Sequence, residues 1–188
     1  MLNHPTIDKL EQMKLFGMAT GLTEQMADTT YTAMSFEERL GLLVDRESQA
    51  RENRRLTTRL QQARLRQDAC LEDIDHRAGR QIDKALLQAL GTGQWLRERL
   101  NVLITGATGV GKSYLACALG QRACQQGFVV RYFRASRLFQ ELAIARSDGR
   151  YSNVLARLRR AELLIIDDWG LAALTEPEQR DLLEVLDD

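Results

Sequence analysis

The chain has 188 residues, 44% of them apolar and 28% charged, which suits one domain, or one domain with a small appendage, around an ordinary core. Its 26 Lys and Arg match its 26 Asp and Glu, so no global field selects nucleic acid or a membrane, and any basic footprint must be local. No apolar run approaches the roughly 20 residues that span a bilayer, and the opening MLNHPTIDKLEQMK is too polar for a signal peptide, so a cytoplasmic location without membrane contact is expected.

Only two prolines, Pro5 and Pro177, interrupt the chain, which leaves its N-terminal half free to be helical. Ile7, Leu10, Met13 and Phe16 give a first helix an apolar face, broken by glycine between Gly17 and Gly21, and a shorter helix is expected from Thr23 to about Thr32. SFEERLGLLVDRE opens a third helix with a capping box, Ser35 and Glu38, ahead of Leu40, Leu43 and Val44. Leu56 and Leu60 extend a thinner stripe to about Gln67. A polar joint around Arg77 to Arg80 separates this half from a further helix and a turn at Gly91 to Gly93.

From Asn101 the pattern changes. NVLIT reads as a short strand buried on both faces, as parallel sheets require. A glycine-rich loop and the helix KSYLACALGQRACQQG follow, the helix stopped by Gly127. FVVRYFRA is a second strand, SRLFQELAIARSDG and YSNVLARLRRA are helices, and ELLIIDD is a third strand. TEPEQRDLLEVLDD starts another helix with Thr175 and Glu178 as its capping box. Strand and helix alternate, so this half is α/β with a parallel sheet.

GATGVGKS, Gly106 to Ser113, fits G-x-x-x-x-G-K-[ST] between a strand and a helix, the phosphate-binding P-loop. Gly106, Gly109 and Gly111 let the chain wrap so that backbone N–H groups, those of Ala107, Thr108 and Val110 among them, point at phosphate oxygens. Lys112 would reach the β- and γ-phosphates of ATP, and Ser113 would bind Mg²⁺. In LLIIDDWG, two adjacent carboxylates end a buried strand, where a Walker B acid sits. Asp167 would hold Mg²⁺ through its water shell, and Asp168 would orient or deprotonate the water attacking the γ-phosphate. Many proteins of this fold carry Glu in the second position; Asp is shorter by one methylene, so base and water must be spaced differently.

Arg51, Arg55, Arg59 and Arg66 fall within about 80° on a helical wheel, with Arg54 close by, and such a row suits contact with DNA phosphates. No aromatics interleave with them, which argues against stacking on single strands, and Trp95 and Trp169 read as packing residues. Cys70, Cys117 and Cys124 have no CxxC spacing and, with only His4 and His76 besides, make a poor zinc set; Cys117 and Cys124 read as small packing residues on one helix.

These segments together resemble the IstB-like transposition helper ATPases, AAA+ proteins grouped with the DnaC-type helicase loaders. SFEERLGLLVDRE, RENRRLTTRLQQARL and DDWGL carry the resemblance more specifically than the nucleotide motifs do. It implies a P-loop NTPase fold of the AAA+/ASCE type, residues 76–188, preceded by an all-α DNA-binding and oligomerisation domain, residues 1–75. It also implies ATP- and DNA-dependent homo-oligomers on double-stranded DNA, and recruitment or regulation of a cognate transposase. A helicase loader, or a nucleotide-gated adaptor without turnover, would fit the same motifs. In the family's sheet one more strand inserts between the P-loop strand and the Walker B strand, and it and the arginine finger would follow Asp188. The ATPase domain is therefore expected to be C-terminally truncated here, with unpaired strand edges, a tendency to aggregate and weak or absent hydrolysis.

Overall fold

The computed structural model describes residues 5–74 and 83–187; His4, His76 and the polar joint at Arg77 to Arg80 lie outside them. The chain divides into two compact units, Met1–Thr57 and Thr58–Asp188.

The first unit is helical. It holds α1 (Pro5–Gln12), α2 (Phe16–Ala27), a 3₁₀ turn (Thr29–Ala33) and most of α3 (Phe36–Ala63). The capping box that opens α3 forms in both directions: the Ser35 N–H donates to Glu38 Oε2 (2.7 Å) and the Glu38 N–H to Ser35 Oγ (3.2 Å). Two expectations need correction. The break after α1 falls at Lys14, which takes a φ of 61°, and Gly17 and Gly21 lie inside α2. They are there for close approach. A Cβ on Gly17 would stand 2.7 Å from Glu47 Cα and 2.8 Å from the Arg46 carbonyl oxygen, and one on Gly21 would stand 2.8 Å from Leu43 Cδ2. Glycine four residues apart lets α2 lie almost on the backbone of α3 at Gly17 and tight on its side chains at Gly21. Gly17→Ala should accordingly destabilise this unit by about 1–3 kcal/mol, because overpacking against backbone outweighs the better helix propensity of alanine. Urea unfolding of the two proteins measures this, and a gain in stability would contradict the packing argument.

The helix α3 also ends earlier than its apolar stripe suggests, at Ala63 rather than near Gln67. Arg64 takes a φ of 53°, a left-handed turn that no glycine or asparagine signals in the sequence.

The second unit contains α4 (Lys84–Gly91), α5 (Gln94–Arg97), α6 (Lys112–Gln125), β1 (Val130–Arg134), α7 (Ala135–Ser147), α8 (Tyr151–Leu158), β2 (Leu163–Asp167) and α9 (Glu176–Asp187). Residues 58–74 belong to this compact unit too. The reason is packing. Leu65, Ala69 and Leu71 join Cys117, Ala118, Tyr132 and Ile165 in one apolar cluster.

The fold class is the expected one, a parallel α/β sheet preceded by helices. The strands β1 and β2 pair in parallel, Val130 opposite Leu163 and Arg134 opposite Asp167. Alternation sorts their side chains. Tyr132 and Ile165 face α6, while Phe133, Leu164 and Ile166 face the core of Leu138, Phe139, Leu142 and Leu158, which α9 covers with Leu182 and Val185. Gly120 lets α6 settle onto the sheet, since a Cβ there would meet Ile165 Cδ1 at 2.8 Å. Cys117 and Cys124 are buried free thiols on α6, and burial pushes the Cys124 thiol up to about 11. Trp95 donates its ring N–H to the Leu90 carbonyl (2.9 Å), and Trp169 lies against Phe139 with ring centroids 6.5 Å apart.

Caps close the helices as read from the sequence. The Phe128 N–H reaches the Ala123 carbonyl around Gly127 (φ 98°), and Thr175 donates its N–H and hydroxyl to Glu178 Oε2, each at 2.8 Å. One element does not form. Residues 101–105, the expected P-loop strand, form no regular element and pair with no strand among the described residues, and Leu103 is 86% exposed. A parallel strand exists only through hydrogen bonds to a neighbour, and among the described residues β1 and β2 pair with each other alone.

Candidate functional site

The glycine loop leads straight into α6. Gly106, Gly109 and Gly111 take φ values of 151°, 84° and 97°, all in the region that side chains avoid, and Gly111 is the residue that starts the helix. Residues 106–110 are exposed. The loop therefore presents its backbone, and the first turn of α6 presents N–H groups that have no partner within the helix. Lys112 folds over the loop, its Nζ donating to the Gly106 (2.9 Å) and Ala107 (2.8 Å) carbonyls. An ammonium group so placed stands at the mouth of an anion cradle.

Strand parity brings the acids to the same place. Asp167 is two residues beyond Ile165, so it faces α6, on the side of Ser113. Its Oδ2 accepts from the Tyr132 hydroxyl (2.6 Å) and its Oδ1 from the Asp168 N–H (2.8 Å). Burial alone would raise the Asp167 carboxyl. The Ser113 hydroxyl, the hydrogen bonds from Tyr132 and the Asp168 N–H, and the charge of Arg66 more than offset it and hold this carboxyl below the usual range. Tyr132 moves the other way: burial, then the bond to Asp167, push its hydroxyl far up, so it stays a neutral donor. A serine hydroxyl against an ionised carboxylate is the hard oxygen pair that Mg²⁺ takes, and the residues fit that ion.

Asp168 turns away from the strand with a φ of 57°, a conformation aspartate tolerates better than most residues. Its Oδ2 accepts from Arg134 Nε at 2.5 Å. Arg66 Nη1 lies 3.5 Å from Asp167 Oδ2 and 3.9 Å from Asp168 Oδ2.

With that geometry in place, comparison with known proteins is decisive. Residues 8–188 match the family described as IstB-like ATP binding protein. The chain belongs to that family. It is 48% identical over its whole length to a protein named as the ATP-binding protein of insertion sequence IS1162 in Pseudomonas fluorescens, of which it covers 82%. It is 47% identical, again over its whole length, to an insertion-sequence ATP-binding protein of Sinorhizobium fredii, covering 77% of it. An ATP-binding protein in an insertion sequence of Mycobacterium tuberculosis is 31% identical over 95% of this chain and is covered to 71%. Among the described residues, no helix is long and apolar enough to cross a membrane.

The IstB-like chain thus brings Gly106 to Ser113, Asp167 and Asp168 to one end of its sheet. The arginine row does not stay together. Arg66 lies beyond the end of α3 and joins the acids, which is a correction of its expected place on the helix. Arg59 donates to the Cys124 carbonyl at 2.9 Å, and Arg51 and Arg54 bind the buried Glu47 at 2.7 and 3.4 Å. Arg55 projects outward with 69% of its side chain exposed, 3.7 Å from Glu52. Tyr132 and Arg134 lie beside these acids and motif reading passed them over, and Arg66 joins them from the arginine row. The signal for the first two was present: in a parallel pair, the residue opposite the acid, Arg134, and the one two before it, Tyr132, share the acid's face.

Proposed function

We infer that this chain is an ATP- and DNA-binding helper of an insertion-sequence transposase, which assembles on double-stranded DNA with Mg-ATP and recruits or regulates the transposase there, in the cytoplasm. The observation that carries the reading is the positive-φ glycine loop 106–111 running into α6 beneath Lys112, with Asp167 at the end of a strand that packs on that helix, in a chain of this family. In this reading the loop N–H groups and Lys112 bind the phosphates of ATP, Ser113 and Asp167 hold Mg²⁺, and Asp168 directs the attacking water. Mg²⁺ supplies charge neutralisation between the phosphates when bound.

The experiment is sedimentation of the protein on duplex DNA with ATP, with ADP and without nucleotide. ATP-dependent growth of the complex is expected, and a size independent of nucleotide would overturn the reading. Of the arginines, Arg55 is the cleanest probe of phosphate contact, because Arg51, Arg54 and Arg59 also hold the structure together. Arg55→Ala should weaken binding to all duplex sequences alike and lower the salt slope by about 1. A loss confined to one sequence would show base reading instead.

A second reading, a nucleotide-gated adaptor that does not turn ATP over, is favoured by the grip of Arg134 on Asp168, which opposes a role for that carboxylate as a base. Turnover measured with and without duplex DNA separates the two.

A further inference from the structure

Among the described residues, three cationic side chains stand at the candidate nucleotide site, and they are held differently. Lys112 lies on two loop carbonyls at hydrogen-bond distance. Arg134 is bonded to Asp168 at 2.5 Å. Arg66 stands off both acids at 3.5 and 3.9 Å, with 46% of its side chain exposed. Its backbone is nevertheless fixed. Leu65 packs beside Gly120, and the Ala69 N–H donates to Gln121 Oε1 at 3.3 Å, so both flanks of Arg66 are pinned to α6, the helix that carries the phosphate loop. A guanidinium on a fixed anchor, at ion-pair rather than hydrogen-bond distance from both acids, is the cation of the three held least closely to an anion it could exchange.

Mg²⁺ at Asp167 would bring two positive charges to the carboxylate that Arg66 now faces. The repelled guanidinium then needs another anion within reach of the same anchor. ATP supplies one in its γ-phosphate, whose oxygens match the fork of guanidinium donors; ADP has no γ-phosphate. We propose that Arg66 is the residue by which this site distinguishes ATP from ADP, leaving the acid pair when Mg-ATP binds and contacting the γ-phosphate from within the same subunit. This rests on the nucleotide-site reading above, and it adds a residue that lies outside both nucleotide motifs.

The test is calorimetric titration of the full chain with ATP and with ADP, each with excess Mg²⁺, for the wild type, Arg66→Ala, Arg66→Lys and Lys112→Ala. Arg66→Ala should bind ATP about tenfold more weakly and ADP within twofold of the wild type, with Arg66→Lys between them. Equal losses for the two nucleotides would make Arg66 a structural counter-ion of the acids and overturn the proposal, as would no loss for either. If Arg66→Ala melts well below the wild type, the ATP-to-ADP ratio of Arg66→Lys decides in the same way. Failure of the underlying site reading looks different. There, the wild type would bind neither nucleotide, or Lys112→Ala would bind as the wild type does, and the proposal would fall with it.

Discussion

Lys112→Ala is expected to lower the affinity for Mg-ATP by about 10- to 100-fold while leaving the fold intact. The ammonium group stands over the loop on the Gly106 and Ala107 carbonyls, close to where the first-turn N–H groups of α6 converge. A hydrogen bond to a charged group contributes about 1.5–3 kcal/mol, and a phosphate oxygen is a much stronger partner for the ammonium than a loop carbonyl. That difference is what binding gains and what alanine removes. The two carbonyls left behind belong to exposed residues and turn to water, so the melting temperature should hardly change. Titration with ATP, alongside a thermal melt of the free protein, measures both. Unchanged nucleotide affinity would remove the loop from the site.

The second large effect lies in the helical unit and concerns Glu47. The residue before α2, Leu15, offers no side-chain cap, and α3 supplies one from across the packing interface. Glu47 Oε2 accepts the Gly17 N–H at 2.7 Å and the Met18 N–H at 3.2 Å, while Oε1 binds Arg51 and Arg54. An anion at the positive end of α2 thus joins two helices whose backbones already touch at Gly17. Glu47→Ala leaves those N–H groups without a partner beneath a packed surface and leaves two guanidinium groups without their anion. The expected loss is about 2–4 kcal/mol, since each orphaned buried donor costs about 1–3. A unit of this size has about 3–9 kcal/mol in total. Amide exchange at Gly17 and Met18 in the full chain should rise accordingly; protection equal to the wild type would show that the glycine packing holds α2 unaided.

The same residue makes this unit acid-sensitive. The Arg51 hydrogen bond, opposed by burial and reinforced by the Met18 and Gly17 N–H groups, holds the Glu47 carboxyl below its ordinary value. The contribution is therefore complete above the unfolded-state pKa of about 4.3 and disappears as the pH falls through the lower folded value. Glu47→Gln should be less stable than the wild type at neutral pH and should lose less between about pH 4.3 and the acid end of the titration. Parallel acid limbs for the two proteins would assign the sensitivity to other carboxylates.

Much of this architecture is legible along the chain because it depends on residues a few positions apart. The capping boxes Ser35/Glu38 and Thr175/Glu178, the stop at Gly127, the glycine loop and the alternation that aims Asp167 at α6 all operate within a turn of helix or along one strand. Tertiary structure decided the rest. Gly17 and Gly21 signal a break until α3 is seen to lie against them, with its backbone at Gly17 and its Leu43 and Arg46 side chains at Gly21. Residues 101–105 have the composition of a buried strand, but strand formation requires a neighbour, which composition does not supply. Arg66 keeps helical spacing with Arg51, Arg55 and Arg59, yet the left-handed turn at Arg64 and the packing of Leu65 carry it to the acids instead. By itself the sequence determined which residues could bind phosphate and where its helices begin. Which charges meet was decided by the register of β1 on β2 and by where α3 stops, because pairing across space depends on contacts that no local spacing encodes.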